Sequence, residues 1–192
     1  TTGTENSGVG GFALTSNTTA NNNTALGYSA LYTNTTGGSN TAVGRSALYT
    51  NNASNCVAIG QRALFSNTTG TSNVAIGNNA LDLNTTGIEN TAIGHYALDA
   101  NTTGNYNVAI GHLSLSANTD AERNTAVGQS SLRRNTTGDY NTSMGQGALA
   151  YNTTASNNTA LGFGALLANT TGTANVAVGA DALDANTTAS YN

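Results

Sequence analysis

At 192 residues the chain is long enough for one or two globular domains, yet only 7% of it is charged and it contains no Pro and no Trp. Regularly spaced Leu, Ile and Val exclude disorder, and a net charge of -4 with no basic run excludes a nucleic-acid partner. The longest apolar stretches resemble Ala165-Leu166-Leu167-Ala168 and are too short to span a bilayer; the single Cys56 leaves no disulfide framework within the chain.

One repeat accounts for the whole text. The Gly that closes an Ala-aliphatic-Gly motif falls at Gly10, Gly27, Gly44, Gly60, Gly77, Gly94, Gly111, Gly128, Gly145, Gly162 and Gly179. Every interval is 17 residues except Gly44 to Gly60, which is 16. Read from its first Asn, the unit is Asn-(Thr/Val)-Ala-(Ile/Val/Leu)-Gly-x-x-Ala-Leu-x-x-Asn-Thr-Thr-(Gly/Ala)-x-x. Residues 1–192 are therefore expected to be a single continuous array, an internal segment of a longer fibre with no cap at either end.

Seventeen residues are too few for a helix pair and turn, and Gly, Asn and Thr are poor in helix interiors. Short strands joined by Asn and Gly turns fit instead, which predicts an all-β fold: a β-solenoid of eleven 17-residue coils. Coils stacked about 4.8 Å apart would build a rod of roughly 50 Å.

Taken in order around the coil, position three is Ala in nine copies and position four is always aliphatic or Met, from Val9 to Val178. Position five is the Gly column, expected at a sharp corner. Position eight is Ala in nine copies, and position nine is Leu in all eleven: Leu14, Leu31, Leu48, Leu64, Leu81, Leu98, Leu115, Leu132, Leu149, Leu166 and Leu183. The Leu ladder and the position-four column are the expected core. Neighbouring strand residues point to opposite faces, so the two small Ala columns would lie either at tight corners or against another chain.

The Asn-Thr-Thr segment has two readings. As structure it is a second corner, with Asn amides hydrogen-bonded from coil to coil. As chemistry it is an N-glycosylation acceptor, at Asn17, Asn34, Asn67, Asn84, Asn101, Asn135, Asn152, Asn169 and Asn186. Asn22, Asn52, Asn141 and Asn157 also begin acceptor triplets. In the shortened copy, Asn51-Asn52-Ala53-Ser54-Asn55-Cys56, one turn residue is missing and Cys56 replaces the leading Asn.

The variable positions carry little recognisable chemistry. Tyr32, Tyr49 and Phe65 fall in one column, as do Asp82 and Asp99, and His95 and His112 share another. An aromatic strip could face a sugar, and two imidazoles could share a metal, but polar and aromatic ladders are the simpler expectation. No nucleophile-base set, phosphate loop or zinc spacing is present, so neither an enzyme nor a cofactor or metal site is expected.

The Asn-(Thr/Val)-Ala-Ile-Gly core, as in Asn73-Val74-Ala75-Ile76-Gly77 and Asn107-Val108-Ala109-Ile110-Gly111, resembles the head repeats of trimeric autotransporter adhesins. With its Ala-Leu and Asn-Thr-Thr-Gly parts, the unit is also similar to repeats of bacterial and phage tail-fibre-like proteins. The resemblance implies a left-handed β-roll, commonly trimeric, displayed on a cell or virion surface for attachment. The expected function is thus a structural and adhesive extracellular fibre. Its expected partners are copies of itself, in a lateral trimer or an end-to-end filament, and a surface receptor or glycan. A filament coated with N-glycans on the Asn-Thr-Thr column is the alternative, and an ice-binding rod a third.

Overall fold

A computed structural model describes residues 2–192. Eleven strands of three residues, β1 (Ser7–Val9) to β11 (Val176–Val178), pair in parallel and in sequence order into one sheet. Among the described residues there is no helix long and apolar enough to cross a membrane. Each repeat is one turn of a β-solenoid. In the middle of the rod, β5 (Val74–Ile76) sets Val74 opposite Thr91, Ala75 opposite Ala92 and Ile76 opposite Ile93. Parallel strands need a long return path, and residues 77–90 provide it by running round the coil.

The return path is also laddered. Gly77 donates its N–H to Ile59, Asn79 to Gln61, Leu81 to Ala97 and Leu83 to Asp99, all at 2.8–3.0 Å. Backbone donors therefore find acceptors in the coil above or below, which lets a thin coil bury its main chain.

The interior is filled by Ala at positions three and eight and Leu at position nine. Nine of the leucines, Leu31 to Leu166, are fully buried; Leu14 and Leu183, in the end coils, are partly open. The Ala columns do not mark a partner chain. Ala75, Ala80, Ala92 and Ala97 are all fully buried inside the coil, and they are small because the coil is narrow. The position-four column, by contrast, is not core: Val9 is 62% exposed, Leu26 47% and Met144 44%.

Two backbone features explain these departures. In the strand, position three points in, so positions two and four must point out. Around the next bend alternation fails, because every position-nine Leu sits in left-handed backbone with φ between 50° and 54°. That rotation turns positions eight and nine inward together. Left-handed backbone costs a non-glycine residue about 1–2 kcal/mol, and burying a Leu side chain returns about 1.5–3 kcal/mol. The ladder is held by that margin and by the Leu N–H bond to the next coil.

At position five the requirement for Gly is steric as well as conformational. Gly111 has φ 132°, and a Cβ there would stand 2.6 Å from the Gly128 carbonyl oxygen of the next coil.

Candidate functional site

The second corner is built from two files of buried asparagines. Asn73, at position one, donates through Nδ2 to the Gly87 carbonyl at 2.7 Å, while its Oδ1 accepts the Asn90 N–H at 2.9 Å. Asn84, at position twelve, donates to the same Gly87 carbonyl at 3.0 Å and to Oδ1 of Asn67 in the preceding coil at 2.8 Å. One carbonyl thus receives an amide from each file, and each amide is tied to the coil beside it. The expected Asn ladder at position twelve is present; the equal ladder at position one carries no distinct signal in the sequence beyond its regular spacing.

This arrangement decides what the acceptor column can do. Asn34, Asn67, Asn84, Asn101, Asn135, Asn152 and Asn169 are fully buried, and Asn17 and Asn186 in the end coils are half-buried. The Nδ2 that a glycan would occupy is the atom that closes the corner. Stacked coils about 4.8 Å apart leave no space for a sugar at the seven buried positions. Of the other acceptor triplets, Asn141 is buried, whereas Asn22, Asn52 and Asn157 lie at the surface. The Thr after most corner Asn residues is also engaged, as where Thr85 Oγ1 donates to the Thr102 carbonyl at 3.0 Å.

The shortened copy shows how a residue is lost without breaking the rod. Elsewhere the first corner Thr offers its carbonyl to the coil before it. Here Asn52 offers its side chain: Oδ1 accepts the Thr35 N–H at 2.8 Å, the Thr35 hydroxyl at 2.8 Å and the Thr36 N–H at 3.4 Å. Cys56 occupies the Asn file, donating through Sγ to the Gly70 carbonyl at 3.3 Å while its N–H bonds Oδ1 of Asn40 at 2.9 Å. Burial pushes its thiol pKa up, against the lowering effect of backbone N–H groups of Asn73 and Ser72. Oδ1 of Asn34 is left buried and unbonded next to this corner.

The variable columns stack as ladders. Tyr32 and Tyr49 stack 5.1 Å apart with nearly parallel rings, Tyr49 and Phe65 5.0 Å apart. Phe12 closes one end of the strip edge-on, and the Arg62 guanidinium covers the other at 3.9 Å from the Phe65 ring. The ring faces are used by one another, which leaves edges rather than a platform for a sugar. His95 and His112 stack at 5.5 Å, with His95 4.1 Å from the ring of Tyr96. Among the described residues no group of three or more His, Cys, Asp or Glu is placed to hold a metal ion. Arg62 also bonds Asp82 at 2.9 Å, whereas among the described residues the neighbouring Asp99 has no cation partner. Its pKa is raised to about 6, chiefly by burial, with the charge of Asp82 adding and its own backbone N–H opposing.

The outer face of the sheet is a continuous surface along the rod. Positions two and four project from it in two files running the length of the rod, Thr or Val beside Ile, Val or Leu, with Ser7 and Met144 the only other types. None of these 22 residues is charged. The Thr rows at position two are interrupted by Val57, Val74 and Val108. No protein-family model, curated protein or solved structure matches the chain.

Proposed function

We propose that the chain is a segment of a structural and adhesive extracellular fibre, in which two rods pair side by side through the outer face of the sheet. The observation that carries this reading is the uncharged double file at positions two and four. Over about 50 Å of rod, the aliphatic file at position four and the Thr and Val file beside it present an uncharged, partly apolar strip of roughly 500 Å². Monomers seldom leave contiguous apolar patches larger than a few hundred Å² open to water. Paired with an identical strip, it would bury about 1,000 Å² in total, the lower bound for a specific interface.

A second copy suits this face better than an unrelated partner. Both rods repeat at the same coil spacing, so the aliphatic file of one can seat between the rows of the other along the whole length. A single flat face closes on one partner, giving a two-fold pair. The placement outside the cell rests on the Asn-(Thr/Val)-Ala-Ile-Gly core and its likeness to adhesin heads and tail-fibre repeats.

Sedimentation and small-angle scattering of the intact chain test the pairing. The expected result is a concentration-dependent two-chain particle of doubled cross-section, which Ile76→Lys with Ile110→Lys converts to single rods of unchanged circular dichroism. A wild-type chain that stays single at millimolar concentration, a three-chain particle, or a Lys variant that pairs as before would overturn it.

A further inference from the structure

A second surface feature lies on the opposite wall of the coil, where the columns stop being regular. Position seven carries a side chain in most copies, among them Ser46, Arg62, Asn79 and Tyr96, but in two consecutive coils it is Gly147 and Gly164. The backbone does not require this. Gly147 has φ 70°, a left-handed value that Asn79 and Tyr96 adopt at the same position with φ 55° and 54°. Nor does packing require it at Gly147, where a Cβ would meet only the end of Leu167, at 3.6 Å; at Gly164 it would meet the end of the Asp181 side chain. The two glycines therefore differ in kind from the position-five glycines, which the next coil makes obligatory.

Gly147 opens onto a hollow of about 200 Å³. Gly147, Ala150 and Leu167 give it an apolar part of its lining, and Ser130, Gln146 and Tyr151 a polar one. Arg133 and Arg134 complete the wall. These are the only adjacent cations in a chain of net charge -4. Arg62 is bonded to Asp82 and Arg123 to Glu122, but among the described residues neither Arg133 nor Arg134 has a carboxylate partner or a side-chain hydrogen bond. Arg134 is held 4.5 Å from the Tyr151 ring, which aims it without neutralising it.

We infer that this hollow binds an acidic saccharide through one carboxylate-bearing ring. Planar guanidinium groups match a carboxylate fork, the Gln146 amide and Ser130 hydroxyl suit sugar hydroxyls, and the apolar lining suits the C–H face of a pyranose. The volume is below the ~300–1,000 Å³ of pockets that enclose drug-sized ligands, so it takes one ring of a longer chain. A free phosphate would leave the apolar lining uncovered. The site is separate from the sheet face, and its failure would leave the pairing proposal untouched.

Calorimetric titration of the intact chain with trigalacturonic acid tests the inference, with a neutral galactose trisaccharide and inorganic phosphate as parallel arms. Saturable one-to-one binding of the acidic sugar is expected, at least tenfold tighter than either comparison ligand. Arg133→Gln with Arg134→Gln should weaken it at least tenfold, and Arg62→Gln should not. Gly147→Asn keeps both arginines and places at position seven a residue that coil five already accepts there as Asn79; it should also weaken binding at least tenfold by filling the hollow. Absence of binding, equal affinity for the neutral sugar or phosphate, or full affinity in Gly147→Asn would overturn the assignment.

Discussion

Asp99 stands one coil from Asp82 in the same column, but Arg62 reaches only Asp82. Oδ1 of Asp99 is buried without a hydrogen bond, and its pKa is raised to about 6 from an ordinary 3.8. The folded rod therefore holds a proton on this carboxyl over a range where the unfolded chain has released it. Stability must fall as pH rises through that range, because the folded state binds more protons there. Burial raises the Asp82 pKa too, with Arg62 opposing the shift. Urea unfolding of the wild type is expected to give a midpoint that declines between about pH 4 and pH 6. Asp99→Asn should flatten most of that decline and be more stable than wild type at pH 7; a wild-type midpoint that rises over this interval would refute the account.

The shortened corner is the element that most directly tests how a coil is specified. Asn52→Ala removes the one oxygen that serves Thr35 and Thr36, and it should destabilise the rod by about 1–3 kcal/mol, the cost of leaving donors without an acceptor. Replacing Asn52 with Thr-Thr, which restores the full unit, should recover that loss in the same urea measurement. The repeat made the coil, the Gly corner and the Leu ladder readable in advance, since each follows from spacing and from what Gly and Leu can do. The direction of the strand was not readable. Alternation says that positions three and four face opposite ways but not which faces in, and hydrophobicity favoured Ile76 over Ala75. The coil settles it by size: with Leu81 turned inward by its left-handed backbone and two asparagines filling the corner, only a methyl group fits beside them. Position one posed the same problem, because a buried Asn and a surface Asn read alike until the Gly87 carbonyl is seen between Asn73 and Asn84. The hollow at Gly147 was legible only as a missing side chain, without any sign that the neighbouring arginines surround it.

At the scale of the whole rod, each coil touches only its neighbours, so stability is a sum over interfaces and damage spreads along the axis. Gly94→Ala places a Cβ 2.6 Å from the Gly111 oxygen in the middle of the array, at φ 136°. It should cost about 3 kcal/mol or more, as severe core changes do, and split hydrogen exchange into two separately opening halves with Gly94 at the boundary. Uniform exchange with an unchanged midpoint would show that the ladder bends around the defect. The asparagine files have a further consequence. From Asn67 to Asn186, eight successive Nδ2 groups at position twelve each donate to the Oδ1 of the preceding coil, and none points the other way. These side-chain dipoles add head to tail, as peptide dipoles do along a helix, and they run against the main chain around them. Outside the strand in the coil of Asn84, the N–H groups of Val74, Leu81, Leu83, Thr85, Thr86 and Gly87 bond the following coil, and only those of Gly77, Asn79 and Glu89 bond the preceding one. The asparagine file is therefore a one-way wire: turning a single amide over would set two oxygens facing on one side and two N–H groups facing on the other, so its direction can change only for the whole file at once.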